Sequence, residues 1–139
     1  RSAVIGSWPR PLSTVDRGML RRPNVGPDSM RLLLRLFVDC VDDDHILRTE
    51  ASAASALSAF KPGRDAAPER YWKMPDLVEL TFALHPAKRA AFDAIVALAP
   101  EGWHHAGDVT EASSVWNRAP GQVFLVPEAA WAELILTPG

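Results

Sequence analysis

Apolar and polar residues alternate along the first strongly patterned segment of the chain, residues 31–41. Every second position from Leu32 to Cys40 is apolar, whereas the intervening positions include charged side chains such as Arg35 and Asp39. A period of two residues is typical of a β-strand, because successive side chains point to opposite faces of a sheet. The continuous apolar face predicts a central strand, with Cys40 as a small buried hydrophobic residue.

A helix is predicted to follow this strand, from His45 to about Phe60. The segment is rich in alanine, and its larger apolar residues are spaced for one buried face. One carboxylate of the preceding run Asp42–Asp44 is expected to cap the helix, because it can accept hydrogen bonds from unpaired N–H groups in the first turn. A Pro-Gly pair ends the helix, and the polar residues 61–70 are predicted to form a loop.

The second half of the chain repeats the strand and the helix. Residues 78–84 alternate again and predict a second strand, and His85-Pro86 is expected to begin a second helix that buries Phe92 and Ile95. Shorter strand-like segments are predicted at residues 71–74, 103–108, 115–117, 123–126 and 131–136. Two helices cannot cover both faces of a broad sheet, so we predict an α+β, two-layer sandwich. Its strand-helix-strand-helix start resembles a ferredoxin-like plan with extra C-terminal strands.

The charge of the chain separates an N-terminal arm from this folded part. Five arginines against two aspartates leave residues 1–30 at +3, and ten basic against fifteen acidic residues leave the remainder at −5. Residues 1–29 show neither period and contain several prolines and glycines, which predicts an irregular basic arm. We expect this arm to be disordered or foreign to the natural protein, with Met19 or Met30 as the natural start. Residues 30–139 are predicted to form a single α+β domain.

Composition excludes several classes of protein. The 139 residues are 47% apolar and 23% charged, which is unlike a disordered, collagen-like or coiled-coil chain. A single cysteine excludes a disulfide framework and a cysteine-cage zinc site. The longest apolar runs are far shorter than a bilayer span. The first thirty residues contain no apolar region of the length that a secretory signal needs, so no signal is predicted and a cytoplasmic location is expected.

The densest charged feature is the acidic cluster of Asp39 with Asp42, Asp43 and Asp44. Three interpretations remain open: helix capping with solvation, a surface for a basic partner, and binding of a hard cation, although the spacing of an EF-hand is missing. His104 and His105 are adjacent on a predicted strand, so they point to opposite faces and cannot share a metal. No nucleophile elbow or phosphate loop occurs. The sequence therefore predicts no catalytic, cofactor-binding or metal-binding residue.

The tryptophans are the second unusual feature. One of the five, Trp8, lies in the arm. The other four begin or interrupt strand-like segments: Trp72, Trp103, Trp116 and Trp131. They can pack the core and the sheet ends, or they can form an aromatic face for a protein partner, because tryptophan is enriched at interface hot spots. Nucleotide stacking is a weaker interpretation, since the charge of −5 opposes phosphates.

Aromatic residues bound several of these strand fragments, in an order similar to that of one family. The fragments are Tyr71-Trp72-Lys73-Met74-Pro75, Gly102-Trp103, Val115-Trp116-Asn117, Phe124-Leu125-Val126-Pro127-Glu128 and Trp131-Ala132-Glu133. From about residue 30 to 139 the chain resembles the small immunity proteins encoded beside bacterial polymorphic toxins, including those of the contact-dependent growth-inhibition type. The resemblance implies a non-catalytic protein that binds and neutralises a cognate toxin encoded nearby.

The resemblance also implies a choice of contact residues. Nuclease toxins are usually basic because they bind phosphates, so an acidic inhibitor gains in encounter rate and register. We expect steering by Asp39, Asp42, Asp43, Asp44 and Glu79, and anchoring by Trp103 or Trp116. No cofactor, nucleic acid or membrane partner is expected, and a homodimer is an open alternative.

Two other functions remain as alternatives. A small ligand-binding regulatory domain of ferredoxin-like type would form a dimer whose melting temperature rises with a metabolite. A small metal-dependent enzyme, which the aspartates and histidines would serve, would retain stoichiometric metal after gentle purification. A toxin gene beside this one would instead favour the immunity protein.

Overall fold

The computed structural model describes residues 30–107 and 111–138. The predicted basic arm, residues 1–29, lies outside these residues, as does Asp108, the predicted end of one strand. The strands are β1 Met30–Asp39, β2 Gly63–Tyr71, β3 Met74–Leu84, β4 Trp103–Gly107, β5 Ala112–Asn117 and β6 Ala129–Pro138. The helices are α1 Asp43–Ala56, a 3₁₀ turn Ser58–Phe60, and α2 Arg89–Val96.

The six strands form one antiparallel sheet in the order β2-β3-β1-β6-β5-β4. β1 lies at the centre, between β3 and β6, as its continuous apolar face predicts. Its alternation sets the register: Leu34 lies opposite Phe82 on one side and Leu134 on the other. The prediction of an α+β fold is confirmed.

Both helices contribute to a single apolar core on one face of the sheet. The even-numbered residues of β1, from Leu32 to Val38, form this core with Ile46, Ala53 and Leu57 of the α1 region and with Phe92 and Ile95 of α2. No helix of the described residues contributes to the opposite face, which we call the second face. There Phe37 stacks on Trp131 with ring centroids 3.8 Å apart, and the edge of Tyr71 meets both rings.

The prediction of a loop over residues 61–70 is wrong, because most of this segment forms β2. β2 is an edge strand whose side chains are mostly exposed on both faces, so it carries no apolar alternation. It is held by its pairing with β3, which contains three register shifts. Backbone pairing, which sequence periodicity does not report, therefore explains the missed strand.

Two further boundaries differ from the predictions. α2 begins at Arg89 rather than at His85, and the His85–Pro86 peptide bond is cis. The predicted strand over residues 123–126 is wrong as well, since only an isolated bridge joins Phe124 to Val126 there.

The opposite orientation of His104 and His105 is confirmed. They are consecutive residues of β4 and pair with consecutive residues of β5, so their side chains point to opposite faces of the sheet.

Candidate functional site

The candidate site lies where β1 runs into α1, beside the turn of the β2–β3 hairpin. Arg70 of β2 joins these two segments by donating hydrogen bonds to the carbonyl oxygens of Cys40 at 2.9 Å, Pro75 at 3.2 Å and Val41 at 3.5 Å. β1 and β3 also pair Asp39 with Leu77, which places Asp76 beside the start of the loop. The hairpin turn and the β1–α1 loop therefore form one continuous surface.

We call this surface the acidic end and define it by nine exposed residues. Its carboxylates are Asp39, Asp42, Asp43, Asp44 and Asp76, and its apolar side chains are Val41, Leu47, Trp72 and Met74.

Local structure explains why α1 begins here. Asp42 is the N-cap, and its carboxylate accepts a hydrogen bond from the backbone N–H of His45 at 2.8 Å. Asp43 and Asp44 lie in the first turn, where negative charge is favoured by the helix dipole. The expectation that a carboxylate of this run caps the helix is therefore confirmed for Asp42.

Most carboxylates of the acidic end remain available to a partner. Within residues 30–107 and 111–138, no ion pair uses Asp39, Asp43, Asp44 or Asp76. Their exposure keeps the cost of this charge density low in the free protein, because water and salt screen it. A basic surface placed against them would meet carboxylates that no ion pair of the described residues neutralises.

Large apolar side chains lie among these carboxylates. Trp72 in the hairpin turn is 79% exposed, and Val41 in the β1–α1 loop is 77% exposed. The ammonium group of Lys73 lies 5.1 Å from the centre of the Trp72 ring. An exposed tryptophan with apolar neighbours is unusual in a free protein and is typical of a binding surface.

His45 connects the base of this surface to the turn before β6. Its Nδ1 accepts a hydrogen bond from the backbone N–H of Val41 at 3.2 Å, which leaves Nε2 to donate to the Glu128 carboxylate at 2.9 Å. The backbone carbonyl of Glu128 accepts a hydrogen bond from Asp39 N–H at 2.9 Å. The hydrogen bond from His45 lowers the pKa of Glu128 below its ordinary value of 4.5.

Replacing Glu128 with glutamine tests this connection through pH. Because the pKa of Glu128 is lowered in the folded state, its ionised form contributes stability above its unfolded-state value of 4.5, and this contribution is lost as the pH falls. We expect Glu128→Gln to melt at a lower temperature than the wild-type protein at about pH 6. The difference should shrink as the pH falls below 4.5, and a gap that stays constant would contradict this account.

A shallow groove lies beside this pair, between α1 and the turn before β6. It has a volume of about 320 Å³ and is lined by His45, Arg48, Thr49, Ser52, Val126, Pro127 and Glu128. Cys40 lies beneath it, donating to the Thr49 hydroxyl at 3.5 Å, and burial raises the pKa of its thiol. The thiol is therefore an inert core group rather than a nucleophile. No group of three metal-ligating side chains is present in the described part of the chain.

The structure separates the predicted contact residues into two groups. The four aspartates lie together at the acidic end, whereas Glu79 lies on the second face, where its carboxylate accepts a hydrogen bond from Arg35 at 2.7 Å. The prediction of Trp116 as an anchor is corrected, because its ring is fully buried against Phe124 and its N–H donates to the Glu101 carbonyl. Trp103 is half-buried and packs on Phe124 as well.

Sequence reasoning missed Trp72, the most exposed of the described tryptophans, as an anchor. The strand predicted over residues 71–74 contains Trp72, whereas the structure places Trp72 in a tight turn between Tyr71 and Met74. The missing element was β2, because only the β2–β3 hairpin brings Trp72 and Asp76 to the β1–α1 loop. The charged and turn-rich stretch before Tyr71 was the available signal for a hairpin.

No family model, curated protein or solved structure matches the chain. Neither helix in the described segments has the length and apolar character needed to cross a bilayer.

Proposed function

We propose that this protein is a non-catalytic immunity protein of the contact-dependent growth-inhibition type. It binds and neutralises a cognate toxin, basic and of the nuclease type, in the cytoplasm. The observation that carries this proposal is the acidic end, where exposed apolar side chains lie among carboxylates that form no ion pair with any other described residue. Apolar anchors within a charged rim are the usual arrangement of a protein–protein hot spot.

The two parts of the acidic end have different roles in this proposal. Trp72 and Val41 supply apolar area that is desolvated on binding and slows dissociation. The aspartates attract a positively charged surface over a distance, which speeds encounter and selects orientation. A toxin that binds phosphates has a basic surface of this kind, and covering that surface would exclude its substrate.

The proposal includes the finer arrangement of the fold. The order β2-β3-β1 with α1 and α2 on one face is the start of a ferredoxin-like sandwich. The antiparallel run β4-β5-β6 then takes the place of the last strand of that plan, because β6 pairs with the free side of β1. In this arrangement the β1–α1 loop and the hairpin turn lie at one end of the sandwich.

Co-expression with the toxin encoded beside this gene tests the proposal directly. We expect protection of the producing cell and a stable complex of the two purified proteins. If the toxin kills despite co-expression and no complex forms, the proposal fails.

Replacing Trp72 with alanine tests the role of the anchor. We expect the dissociation constant for the toxin to rise by about 30-fold, which corresponds to a hot-spot loss of about 2 kcal/mol. Calorimetric titration measures this change. Replacing the exposed Leu98, which lies outside the acidic end, is the matched control and should leave the affinity unchanged.

Neutralising the carboxylates tests steering. We expect Asp39→Asn/Asp43→Asn/Asp44→Asn to lower the association rate at low salt by about tenfold, with a smaller effect on dissociation. The matched control removes three exposed carboxylates elsewhere, as Glu69→Gln/Asp93→Asn/Glu101→Gln. Equal effects of the two triple variants would show that net charge, rather than the acidic end, attracts the toxin.

The groove beside His45 favours a second candidate function, a small ligand-binding regulatory domain. Arg48 and Glu128 line the same groove, so one ligand with both a carboxylate and an ammonium group could meet both charges. Melting temperatures measured with a panel of amino acids test this function. An increase that Arg48→Ala abolishes would support it, and a flat response would reject it.

A further inference from the structure

The two edges of the sheet differ in how they are protected from further pairing. Edge strand β2 contains Pro68, several charged side chains and three register shifts against β3, which are the usual means of blocking an edge. Edge strand β4 has the sequence Trp-His-His-Ala-Gly, with no lysine, arginine, carboxylate or proline. It pairs with β5 in continuous register over all five residues. Within residues 30–107 and 111–138, the outer side of β4 is therefore a regular, unblocked template for another strand.

The orientation of the backbone shows which groups are available at this edge. The N–H of Asn117 donates to the carbonyl of Gly102 at 2.9 Å, so this pair is hydrogen-bonded. Hydrogen-bonded and non-hydrogen-bonded pairs alternate along antiparallel strands. The N–H and C=O groups of Trp103, His105 and Gly107 consequently point away from β5, toward the free edge.

Exposed apolar side chains lie near the same edge. Among the exposed large apolar residues of the described chain, four belong to the acidic end, and the other two are Leu98 and Val123. Leu98 precedes Ala99, whose carbonyl accepts a hydrogen bond from the Trp103 indole at 3.2 Å. Val123 precedes Phe124, whose ring packs edge-on against the Trp103 ring with centroids 5.2 Å apart. Leu98 and Val123 therefore belong to two segments that contact Trp103, the first residue of β4.

We propose that β4 is a homodimer interface, in which a second copy of this chain adds its own β4 in antiparallel orientation. A two-fold axis at His105 pairs His105 with its equivalent, and Trp103 with Gly107 of the second copy. All three are residues whose backbone groups point outward, so the register is self-complementary. The pairing joins the two six-stranded sheets into one and covers apolar surface near Leu98 and Val123.

A second copy fits this edge better than a charged partner. β4 carries no side chain of fixed charge, so no complementary charge is available to recognise a basic or acidic strand. A neutral edge also brings no like charges together when it pairs with itself. β4 and the β2–β3 hairpin lie at opposite edges of the sheet, so the dimer leaves both acidic ends exposed, and its test is independent of toxin binding.

Sedimentation velocity of the wild-type protein at micromolar concentrations measures the association state. We expect a dimer, and a monomer at all concentrations tested would overturn the proposal.

Charge variants of His105, which lies on the two-fold axis, then locate the interface. His105→Lys and His105→Glu should each be monomeric, because like charges lie directly opposite, whereas an equal mixture should form a heterodimer. A dimer that persists in both single variants would show that another surface pairs.

A proline variant separates the backbone from the side chain. His105→Pro removes an N–H that points to the free edge, so it should abolish the dimer while the β4–β5 ladder remains. His105→Ala keeps that N–H and should remain dimeric. It is the matched control, because it also loses the hydrogen bond between the His105 and Ser114 side chains. If the position 105 variants fail to fold, Leu98→Glu/Val123→Glu changes only exposed side chains and should raise the dimer dissociation constant at least about tenfold. A wild-type dissociation constant in that double variant would contradict the proposal.

Discussion

Replacing Trp116 with alanine is expected to lower the free energy of unfolding by about 3–5 kcal/mol. The indole is fully buried and packs against Phe124, with the two ring centroids 5.4 Å apart. Its N–H donates to the Glu101 carbonyl at 2.9 Å. The backbone of Gly102 passes so close that a Cβ there would lie 2.9 Å from the indole ring. The variant therefore loses a large apolar contact area and one hydrogen bond, and it gains a cavity. Urea denaturation followed by far-UV circular dichroism measures the change.

Trp72→Ala is the matched control, because it removes the same side chain from a position that is 79% exposed. We expect its free energy of unfolding to stay within about 0.5 kcal/mol of the wild-type value. The pair of variants separates stability from binding: the Trp116 variant loses stability, and the Trp72 variant loses affinity for the toxin. Similar losses of stability in both would contradict the burial seen in the structure.

The two tryptophans also show what the sequence can predict. Each lies within a strand-like fragment, and the local pattern of such a fragment does not distinguish a buried ring from an exposed one. Whether a ring is buried depends on what packs over it, and here that is Phe124, which lies in an irregular segment. The central strand β1 was predicted well because its alternation is strong. The exposed edge strand β2 was missed because neither of its faces is apolar.

Only part of the acidic end could be predicted, because a sequence shows which residues are neighbours along the chain and not which distant segments meet. Its four aspartates between Asp39 and Asp44 are neighbours in sequence, so their clustering could be seen without a structure. Trp72 and Asp76 come from a hairpin about thirty residues further along the chain, and Arg70 fixes that hairpin against the β1–α1 loop through three carbonyl groups. Contacts of this kind leave no period in the sequence. The apolar half of the surface therefore appeared only with the fold.

Arg35 organises the second face of the sheet, which the helices leave uncovered in the described residues. Its guanidinium donates to Glu79 on β3 and to Glu133 on β6, both at 2.7 Å, and its centre lies 5.3 Å from the centre of the Phe37 ring. Partial burial disfavours the charged form, but the hydrogen bonds and charges of the two glutamates outweigh this and raise the pKa of Arg35. One cation thus joins three adjacent strands and neutralises the carboxylate of Glu79.

Arg35→Met is expected to destabilise the protein by about 2–4 kcal/mol, because it leaves two half-buried carboxylates without a cation. The figure lies below that for a fully buried pair, since the three side chains are 30%, 23% and 25% exposed. Arg35→Met/Glu79→Gln/Glu133→Gln should recover most of this loss, because the cost comes from uncompensated charge and not from missing attraction. Arg89→Met is the control on the α2 surface, where the exposed pair with Asp93 should contribute less than about 0.5 kcal/mol. Chemical denaturation of the wild-type protein and the three variants measures these free energies of unfolding. If the triple variant is as unstable as Arg35→Met, the attraction of the ion pairs, rather than uncompensated charge, accounts for the loss.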